Sequence, residues 1–259
     1  MEPVFSSGAL ERIAASDALV AFDFDGTLAP IVEDPAAATM RSATRRLLAE
    51  VARLYPCAVI SGRPEEDILR LLGGVTVWYV IGNRALQPPH ETERWRRQVS
   101  TWRPALAQNL APFPGVSIED KGVSLAVHYR HAAEHDRARA AIVAAAALLD
   151  QVRVIAGKEV VNLLPADGPN KGAAVAGVRA QIGCSAVLYV GDDSTDEDVF
   201  TIGGEVVGVR VGADTESAAR FCLRDQGQVD ELLERLIALR PRRTLRPEEA
   251  WHRAGRRTQ

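Results

Sequence analysis

Residues 186–200, AVLYVGDDSTDEDVF, begin with an apolar run of strand length and continue with five acidic side chains within the eight positions 191–198. Carboxylates this close together repel one another and need water, cations or a ligand to offset their charge. A continuous apolar run is typical of a strand that is buried on both faces. We therefore expect a buried strand whose end holds a positively charged group.

The same order of apolar run, polar residues and helical pattern occurs twice more. ALVAF at 18–22 precedes DFDGTLAP, and CAVI at 57–60 precedes SGRPEEDILRLL. Helical patterns are found in SATRRLLAEVARL, PEEDILRLL and KGAAVAGVRAQI. This alternation predicts an α/β fold with a doubly wound parallel-sheet (Rossmann-like) core. Ligands bind such sheets at the carboxyl ends of the strands, where all three polar clusters fall.

The pattern changes between residues 88 and 166. This region contains a helical stretch, a strand pair, an alanine-rich helix and a second strand pair: ETERWRRQVSTWRPALAQNL, then GVSIED and VSLAVHYR joined by a turn at Lys121 and Gly122, then a helix from about His131 to Asp150, then VRVIAG and KEVVNLL. The order predicts an α+β lid (cap) domain with an antiparallel sheet. We expect this cap, residues 88–166, to be inserted into a catalytic core formed by residues 1–87 and 167–259.

Composition excludes several classes of protein. The chain has 259 residues, 47% hydrophobic and 25% charged, with a net charge of −3, and this balance does not predict a nucleic-acid-binding protein. The basic C-terminal stretch LRPRRTLRPEEAWHRAGRRTQ is interpreted as a solvated tail. The three cysteines have no C-x-x-C spacing, which argues against a disulfide framework or a zinc site. No apolar run approaches the roughly 20 residues that span a bilayer, so we expect a cytoplasmic protein with no membrane contact.

Asp23 and Asp25 lie two positions apart at the end of a predicted strand, so their side chains leave the same face. Gly26 then allows a sharp turn. Two adjacent carboxyl groups can divide the chemistry, because one can attack as a nucleophile while the other donates and accepts protons. Asp, Gly and Thr are also common in structural strand-to-helix turns, and for this segment alone that alternative has equal weight.

Two further segments provide groups that bind anions. Ser61 and Gly62 follow the strand CAVI, where a hydroxyl and backbone N–H groups at a helix start can hold a phosphate. Lys171 opens a predicted helix and can hold a phosphate or keep a neighbouring carboxylate ionised. A helix-capping serine and a solvated lysine are the alternatives for each residue taken alone.

The acidic stretch itself predicts a metal site. Asp192, the first acidic residue after the strand, is placed to join Asp23 and Asp25 around one oxygen-liganded cation such as Mg²⁺. Asp193 and Asp196 are then expected to lie behind the ligands and to hold them in place. The calcium loop of an EF-hand does not fit, and there is no Walker A or G-x-G-x-x-G pattern.

The order D-x-D-G-T, Ser, Lys, G-D-D at strand ends resembles the haloacid dehalogenase superfamily of phosphatases. The resemblance implies that Asp23 attacks phosphorus to form an aspartyl-phosphate, and that Asp25 protonates the leaving oxygen and then activates water. It implies that Ser61 and Lys171 hold the phosphoryl group. It also implies that Mg²⁺ is bound by Asp23, Asp192 and the main-chain carbonyl of Asp25. A lid placed between Ser61 and Lys171 is typical of members that act on sugar phosphates.

A closer resemblance is carried by DFDGTLAPI, EDKGVSLAVHYR and YVGDDSTDEDVF, which are similar to the trehalose-6-phosphate phosphatases along nearly the whole chain. By this resemblance, Glu119 and Lys121 reach the sugar hydroxyls. Lys121 is one of only three lysines among 31 basic residues, which favours a function over a turn position. For His128 and Arg130, sugar binding and exposure on a solvated strand face remain equal alternatives.

The sequence departs from that family where the sugar is recognised. The family pattern G-x-H-G-x-E is replaced by GNRALQ, with Arg84, Ala85 and Gln87 in place of His, Gly and Glu. Asn162 stands where the second hairpin of the lid usually has a Glu. An amide accepts at one end and donates at the other, so the preferred arrangement of sugar hydroxyls can differ.

Three hypotheses follow for the function. The first is hydrolysis of trehalose 6-phosphate to trehalose and phosphate, with an upstream glycosyltransferase as a partner. The second is the same reaction on a related pseudo-disaccharide (aminocyclitol) phosphate in antibiotic biosynthesis, which the altered lid residues favour. The third is a non-catalytic sugar-phosphate sensor, which the presence of Asp23, Asp25 and Lys171 disfavours.

Overall fold

The computed structural model describes residues 1–32, 34, 37–82, 89–157, 159–168 and 170–240, with backbone only at 89–91. Of these residues, those within Met1–Leu86 and Asn170–Gln259 form one compact unit, and those within Gln87–Pro169 form a second. The first unit carries a parallel sheet and the second an antiparallel sheet. The predicted fold class, an α/β core with an α+β insertion, is confirmed.

The strands, numbered along the chain, are β1 Glu2–Pro3, β2 Ala18–Phe22, β3 Cys57–Ile60, β4 Tyr79–Ile81, β5 Ser117–Asp120, β6 Leu125–His128, β7 Val152–Gly157, β8 Val160–Pro165, β9 Ala186–Gly191, β10 Val206–Val211 and β11 Phe221–Leu223. The helices are α1 Ala9–Ala15, α2 Ser42–Leu54, α3 Glu65–Leu71, α4 Pro89–Leu110, α5 His135–Ala146, α6 Lys171–Ile182, α7 Glu197–Phe200 and α8 Gln228–Leu239.

The first unit contains a seven-stranded sheet in the order β1-β11-β10-β9-β2-β3-β4, and all of its strand pairs are parallel. From β2 the chain moves outward in one direction through β3 and β4. It then returns to β9 and moves outward in the other direction through β10 and β11. The order therefore reverses between β2 and β9, which is the position where doubly wound sheets bind ligands.

Both faces of this sheet are buried, as the continuous apolar runs predict. In β2, Val20 and Phe22 pack into a core with α1, α2 and α8, whereas Leu19 and Ala21 pack into a second core with α6. The two faces alternate because successive side chains of a strand point in opposite directions. A strand covered by helices on both sides must therefore be apolar at every position.

Helix α6 begins and ends at residues that suit helix termini. The side chain of Asn170 caps the start by accepting a 2.7 Å hydrogen bond from the N–H of Ala173. Gly183 ends the helix in the left-handed region, at φ 75°, which glycine adopts without a steric penalty. These caps fix Lys171 as the first residue of the helix, at the carboxyl edge of the sheet.

The second unit contains a four-stranded antiparallel sheet in the order β5-β6-β8-β7. Trp102 of α4 and Ile142 of α5 share a buried core with Leu125 and Val127 of β6 and with Leu163 of β8. The helices therefore cover one face of this sheet. The predicted order of helices and strands is found in the structure.

The bounds of α5 differ from the prediction. The helix covers His135–Ala146, whereas the sequence predicted a helix from about His131 to Asp150. Before it, the N–H of Ala132 donates to the carbonyl of Tyr129, which closes a turn instead of a helix. The alanine-rich composition continues beyond the helix end, and composition alone does not mark this boundary.

Two other predictions can be compared with the structure, and two concern residues that it does not describe. No helix of the described residues is long and apolar enough to cross a membrane. Cys57, Cys184 and Cys222 are all free thiols. The basic tail, from residue 241 onward, lies outside the described residues, as do Arg84, Ala85 and Gln87.

Candidate active site

The first part of the site follows β2. The N–H of Asp23 donates to the carbonyl of Val190 at 2.9 Å, which extends the pairing with β9 by one residue. Gly26 has a φ of 75°, and a Cβ atom at this position would overlap the carboxylate of Asp192. Only glycine fits there, because both the backbone angle and the close approach exclude a side chain. The loop after β2 is thus held directly against the loop after β9.

Lys171 is the centre of the charged cluster. Its ammonium nitrogen Nζ lies 3.0 Å from Oδ1 of Asp23, 2.7 Å from Oδ1 of Asp196 and 3.7 Å from Oδ1 of Asp193. The lysine side chain is only 10% exposed, and Asp23 and Asp196 are buried. The positive group expected beside the acidic stretch is therefore this lysine, contributed by the start of α6.

The acidic stretch is held in one geometry by several hydrogen bonds. Asp196 accepts from the hydroxyl of Tyr189 at 2.7 Å and from the N–H of Asp193 at 2.9 Å. Oδ1 of Asp193 accepts from both the N–H and the hydroxyl of Thr195, at 2.7 and 2.6 Å. Arg210 of β10 donates to the carbonyl of Asp193 at 3.1 Å. Asp193 and Asp196 are therefore both bound by other protein groups.

Burial and charge shift the pKa values of the cluster. Burial raises the pKa of Asp23 well above its usual range. Burial alone lowers the pKa of Lys171, but attraction by Asp23, Asp196 and Asp193 outweighs this effect and raises it, so the lysine stays charged. Burial and the nearby charges of Asp193 and Asp196 raise the pKa of Asp192 to about 7. The cluster holds more negative charge than one lysine offsets.

Asp192 provides the test of whether a metal ion fits. Its Oδ1 atom is buried and has no hydrogen-bond partner among the described residues. Carboxylate oxygens of Asp23, Asp192 and Asp196 lie within 4.8 Å of one another, which is close enough to share one cation. An unsatisfied buried carboxylate oxygen is costly unless a ligand binds it. The residues present therefore fit an oxygen-liganded divalent cation such as Mg²⁺.

Asp25 is bound by a residue that the sequence analysis did not select. The guanidinium of Arg63 donates from Nε to Oδ2 of Asp25 at 2.6 Å and from Nη2 to Oδ1 at 2.7 Å. Arg63 lies in the segment SGRP, two residues after Ser61. An arginine this close to a predicted phosphate-binding serine was the only signal in the sequence that could have identified it.

Ser61 and Gly62 lie at the carboxyl end of β3, beside β2. The N–H of Ser61 donates to the carbonyl of Ile81 at 2.9 Å, and its Oγ accepts from the N–H of Arg63 at 3.2 Å. Because this contact uses Oγ as an acceptor, the hydroxyl proton can still be donated to an anion. A Cβ at Gly62 would meet no atom within 4 Å, so there is open space beside this residue.

The register of the second unit's sheet places several predicted sugar-binding residues on one face. Glu119 pairs with Ala126, and Ala126 pairs in turn with Asn162, so all three point to the same side. This is the face opposite the buried core of Val127 and Leu163. His128, two residues after Ala126, is on that face as well, and its Nε2 lies 2.8 Å from Oε2 of Glu119.

The other two predicted lid residues lie just beyond the strands. Lys121 is in the turn after β5, with Nζ 3.9 Å from Oε2 of Glu119. Arg130 follows β6 and donates from Nε to Glu159 at 2.9 Å. Glu119, Lys121 and His128 thus form one polar group on the sheet face, and Arg130 is instead paired with a hairpin residue.

The chain combines a doubly wound parallel sheet with an α+β insertion. Paired aspartates, a lysine and an acidic loop lie at the carboxyl edge of that sheet. This fold and this set of residues define the haloacid dehalogenase superfamily phosphatases. A family model described as trehalose-phosphatase matches residues 21–219, so the chain belongs to the trehalose-phosphatase family. The resemblance that the sequence motifs carry is thereby confirmed.

Similarity to individual proteins agrees with the match to the family model. The chain is 36% identical to the trehalose-phosphate phosphatase of Mycolicibacterium paratuberculosis over 253 residues, which cover 89% of this chain and 64% of that protein. Among solved structures, trehalose-6-phosphate phosphatase of Aspergillus fumigatus superposes with a TM-score of 0.67 at 26% identity, covering 92% of this chain and 99% of that one. The C-terminal domain of the Candida albicans trehalose-6-phosphate phosphatase shares the fold, with a TM-score of 0.67 at 23% identity over 92% of this chain and 98% of that chain.

Proposed function

We propose that the chain is a Mg²⁺-dependent phosphomonoesterase that hydrolyses trehalose 6-phosphate to trehalose and phosphate through an aspartyl-phosphate. The main support is the position of Asp23, whose carboxylate lies 3.0 Å from Nζ of Lys171 and within 4.8 Å of a carboxylate oxygen of Asp192. The family of the chain and the names of its relatives support the same substrate class. The chain spans about 64% of the length of this relative, so the activity of the whole relative is carried over here only as a proposal.

In the first step, a carboxylate oxygen of Asp23 attacks phosphorus, and the bond between phosphorus and the sugar oxygen breaks. Asp25 donates its proton to the leaving oxygen, so the sugar departs as a neutral alcohol. Lys171 stays charged between Asp23 and Asp196 and offsets negative charge on the phosphoryl oxygens. Ser61 donates its hydroxyl proton to the same group.

In the second step, water attacks the phosphorus atom of the aspartyl-phosphate. Asp25, now a carboxylate, accepts a proton from this water, and the bond between phosphorus and Asp23 breaks. The products are inorganic phosphate and the original enzyme, with the proton back on Asp25. A bound Mg²⁺, with Asp23, Asp192 and the main-chain carbonyl of Asp25 as its proposed ligands, offsets the repulsion between the nucleophile and the anionic phosphate.

For the second unit we propose a role in the choice of sugar, through Glu119, Lys121, His128 and Asn162. A second candidate substrate, a pseudo-disaccharide (aminocyclitol) phosphate, is favoured by Asn162, which is in the same row of paired residues as Glu119. An amide there donates as well as accepts, so it suits a different pattern of hydroxyl or amino groups. Arg130 is proposed to act indirectly, because its guanidinium binds Glu159.

Two finer proposals concern the source of the substrate and the location of the protein. A phosphorylated disaccharide is made by a glycosyltransferase, and we propose that such an enzyme supplies the substrate. Free thiols at Cys57, Cys184 and Cys222 support a reducing, cytoplasmic location. A non-catalytic sensor is disfavoured, since binding alone does not require the nucleophile Asp23 together with Asp25.

The proposed function is tested by Mg²⁺-dependent phosphate release from trehalose 6-phosphate, glucose 6-phosphate, sucrose 6-phosphate and a pseudo-disaccharide phosphate, with the Asp23→Asn protein as the blank. We expect kcat/KM for trehalose 6-phosphate to exceed the others by about a hundredfold, or about 2.7 kcal/mol of transition-state binding. A higher value for the pseudo-disaccharide phosphate would establish the second candidate. Release from none of the four esters would contradict both.

A further inference from the structure

Arg63 binds Asp25 in a geometry that fixes the carboxyl group. Two parallel hydrogen bonds of 2.6 and 2.7 Å join two of the three guanidinium nitrogens, Nε and Nη2, to the two oxygens of the carboxylate. The Arg63 side chain is 15% exposed and that of Asp25 is 37% exposed, so the arginine is largely enclosed while the carboxyl group is open on one side. A bidentate pair of this kind sets the plane and the direction of a carboxyl group, which a single contact does not.

The backbone of the same residue contacts the predicted phosphate-binding hydroxyl. The N–H of Arg63 donates to Oγ of Ser61 at 3.2 Å. Arg63 also lies directly before Pro64, the residue that caps the start of α3. One residue therefore connects Ser61 to Asp25, and it is anchored between β3 and α3.

We propose that Arg63 is a positioning residue, which holds the carboxyl group of Asp25 in the direction required for proton transfer to the leaving sugar oxygen. This inference rests on the proposed function, in which Asp25 is the acid. Proton transfer requires the acid to lie within hydrogen-bond reach of the leaving oxygen, and a small misplacement of a catalytic group has a large cost. The second hydrogen bond of the pair restricts rotation of Asp25 about its side-chain bonds.

The test compares two phosphate esters with different leaving groups in an Arg63→Gln variant. The sugar oxygen of trehalose 6-phosphate must be protonated as it leaves, whereas p-nitrophenyl phosphate releases a stable phenolate without a proton. We expect kcat/KM of the variant to fall by about tenfold or more on trehalose 6-phosphate and to stay within about twofold on p-nitrophenyl phosphate. The ratio kcat/KM reports the steps up to the departure of the leaving group, so hydrolysis of the aspartyl-phosphate does not affect the comparison.

Two further variants keep the test sharp. Arg63→Lys retains the charge but not the paired hydrogen bonds, and we expect a smaller loss than for glutamine that is again confined to the sugar ester. Arg70→Gln removes an exposed arginine of α3 that pairs with Asp67 at 3.5 Å, and we expect no change with either ester. Thermal unfolding of each variant checks that the fold is kept.

An equal loss on both esters would overturn the inference, because it would mean that Arg63 acts on phosphate binding or on folding. Unchanged activity of Arg63→Gln on both esters would overturn it as well. If the parent protein hydrolyses neither ester in the presence of Mg²⁺, the proposed function fails and the inference fails with it. A selective loss on the sugar ester supports the inference whichever disaccharide phosphate proves to be the best substrate.

Discussion

Side chains in the charged cluster are buried although their proposed roles require them to be charged. Asp23 is buried, yet the proposed reaction needs it as a carboxylate, and Lys171 at 3.0 Å provides only part of the compensation because it is shared with Asp196. A buried carboxylate that is incompletely compensated lowers the stability of the folded protein. These residues are therefore expected to serve the function of the protein and not its stability.

The variant Asp23→Asn should lose activity without losing stability. Turnover should fall by at least about a thousandfold, because an amide does not form the acyl phosphate. The pKa of Asp23 is raised in the folded state, so stability falls as the pH rises above the ordinary pKa of an aspartate and towards the raised one. Removing this ionisable group should leave the melting temperature at pH 7.5 unchanged or higher. Phosphate release and thermal unfolding measure the two effects.

The matched control is Asp136→Asn, which changes an exposed aspartate in the first turn of α5 and should leave activity unchanged. Substantial turnover by Asp23→Asn would contradict the assignment of the nucleophile.

A divalent cation should stabilise the protein through Asp192. Mg²⁺ at about ten times its Kd adds about 1.4 kcal/mol, which corresponds to a rise in Tm of about 3–5 °C for a chain of this size. Asp192→Asn should lose most of this rise. Since the pKa of Asp192 is raised to about 7, protons compete with the cation, and the rise should be smaller at pH 6 than at pH 8.

The measurement is thermal unfolding of the parent and of Asp192→Asn, each with Mg²⁺ and with a chelator. An equal response of the two proteins to Mg²⁺ would show that the cation binds elsewhere.

Among the elements, helix α6 is closely constrained at its start by packing and by charge. Its first residue, Lys171, enters the cluster, and its second, Gly172, packs so closely on α7 that a Cβ would overlap the backbone carbonyl of Asp198. Gly177, further along the same helix, meets no atom within 4 Å of an added Cβ. The two glycines therefore have different reasons to be present.

Replacing each glycine by alanine should change stability in opposite directions. Gly177→Ala should raise the free energy of unfolding by about 0.5–1 kcal/mol, because alanine loses less backbone entropy in a helix. Gly172→Ala should lower it by about 1–3 kcal/mol, since the backbone must move to make room. It should also lower kcat/KM by displacing Lys171.

Urea unfolding and kcat/KM on the best substrate measure these effects, and Gly177→Ala is the control for the change in helix propensity. If Gly172→Ala were as stable and active as the parent, the close packing of α6 on α7 would be disproved.

For the whole molecule, the two cores of the first unit lie on opposite faces of one parallel sheet, so both depend on its central strands. Strand β3 lies between β2 and β4, and Cys57 at its start is fully buried. Burial raises the pKa of the Cys57 thiol to about 12, so the reactive thiolate is scarce even at alkaline pH. Exposure of this thiol requires the central strands to separate.

Cys57 should therefore react only when the core unfolds. In a Cys184→Ala/Cys222→Ser variant, a thiol reagent at pH 8 should label no cysteine in buffer and one cysteine in guanidinium chloride. The parent protein, with partly exposed Cys222, should label faster in buffer. Rapid labelling of Cys57 in the native variant would mean that the central sheet opens locally instead of unfolding as a unit.

Much of this architecture can be read from the local sequence. The apolar runs of β2, β3 and β9 and the helices α2 and α6 have nearly the predicted bounds, because burial on both faces and amphipathic periodicity act over a few neighbouring residues. The aspartates and the serine follow from the same reasoning, since each lies next to a strand end, and the lysine follows from its place at the start of a predicted helix. The sequence also contains the family motifs, and so it indicated the class of phosphatase.

Contacts between distant residues required the folded chain. The edge strand β1 and its neighbour β11 have only two and three residues, too few for a periodic pattern. The bond from Arg63 to Asp25 and the unsatisfied oxygen of Asp192 depend on which strands lie side by side. A sequence pattern reports how deeply each residue is buried along its own element, whereas the partner of a charged side chain is set by the order in which the strands pack.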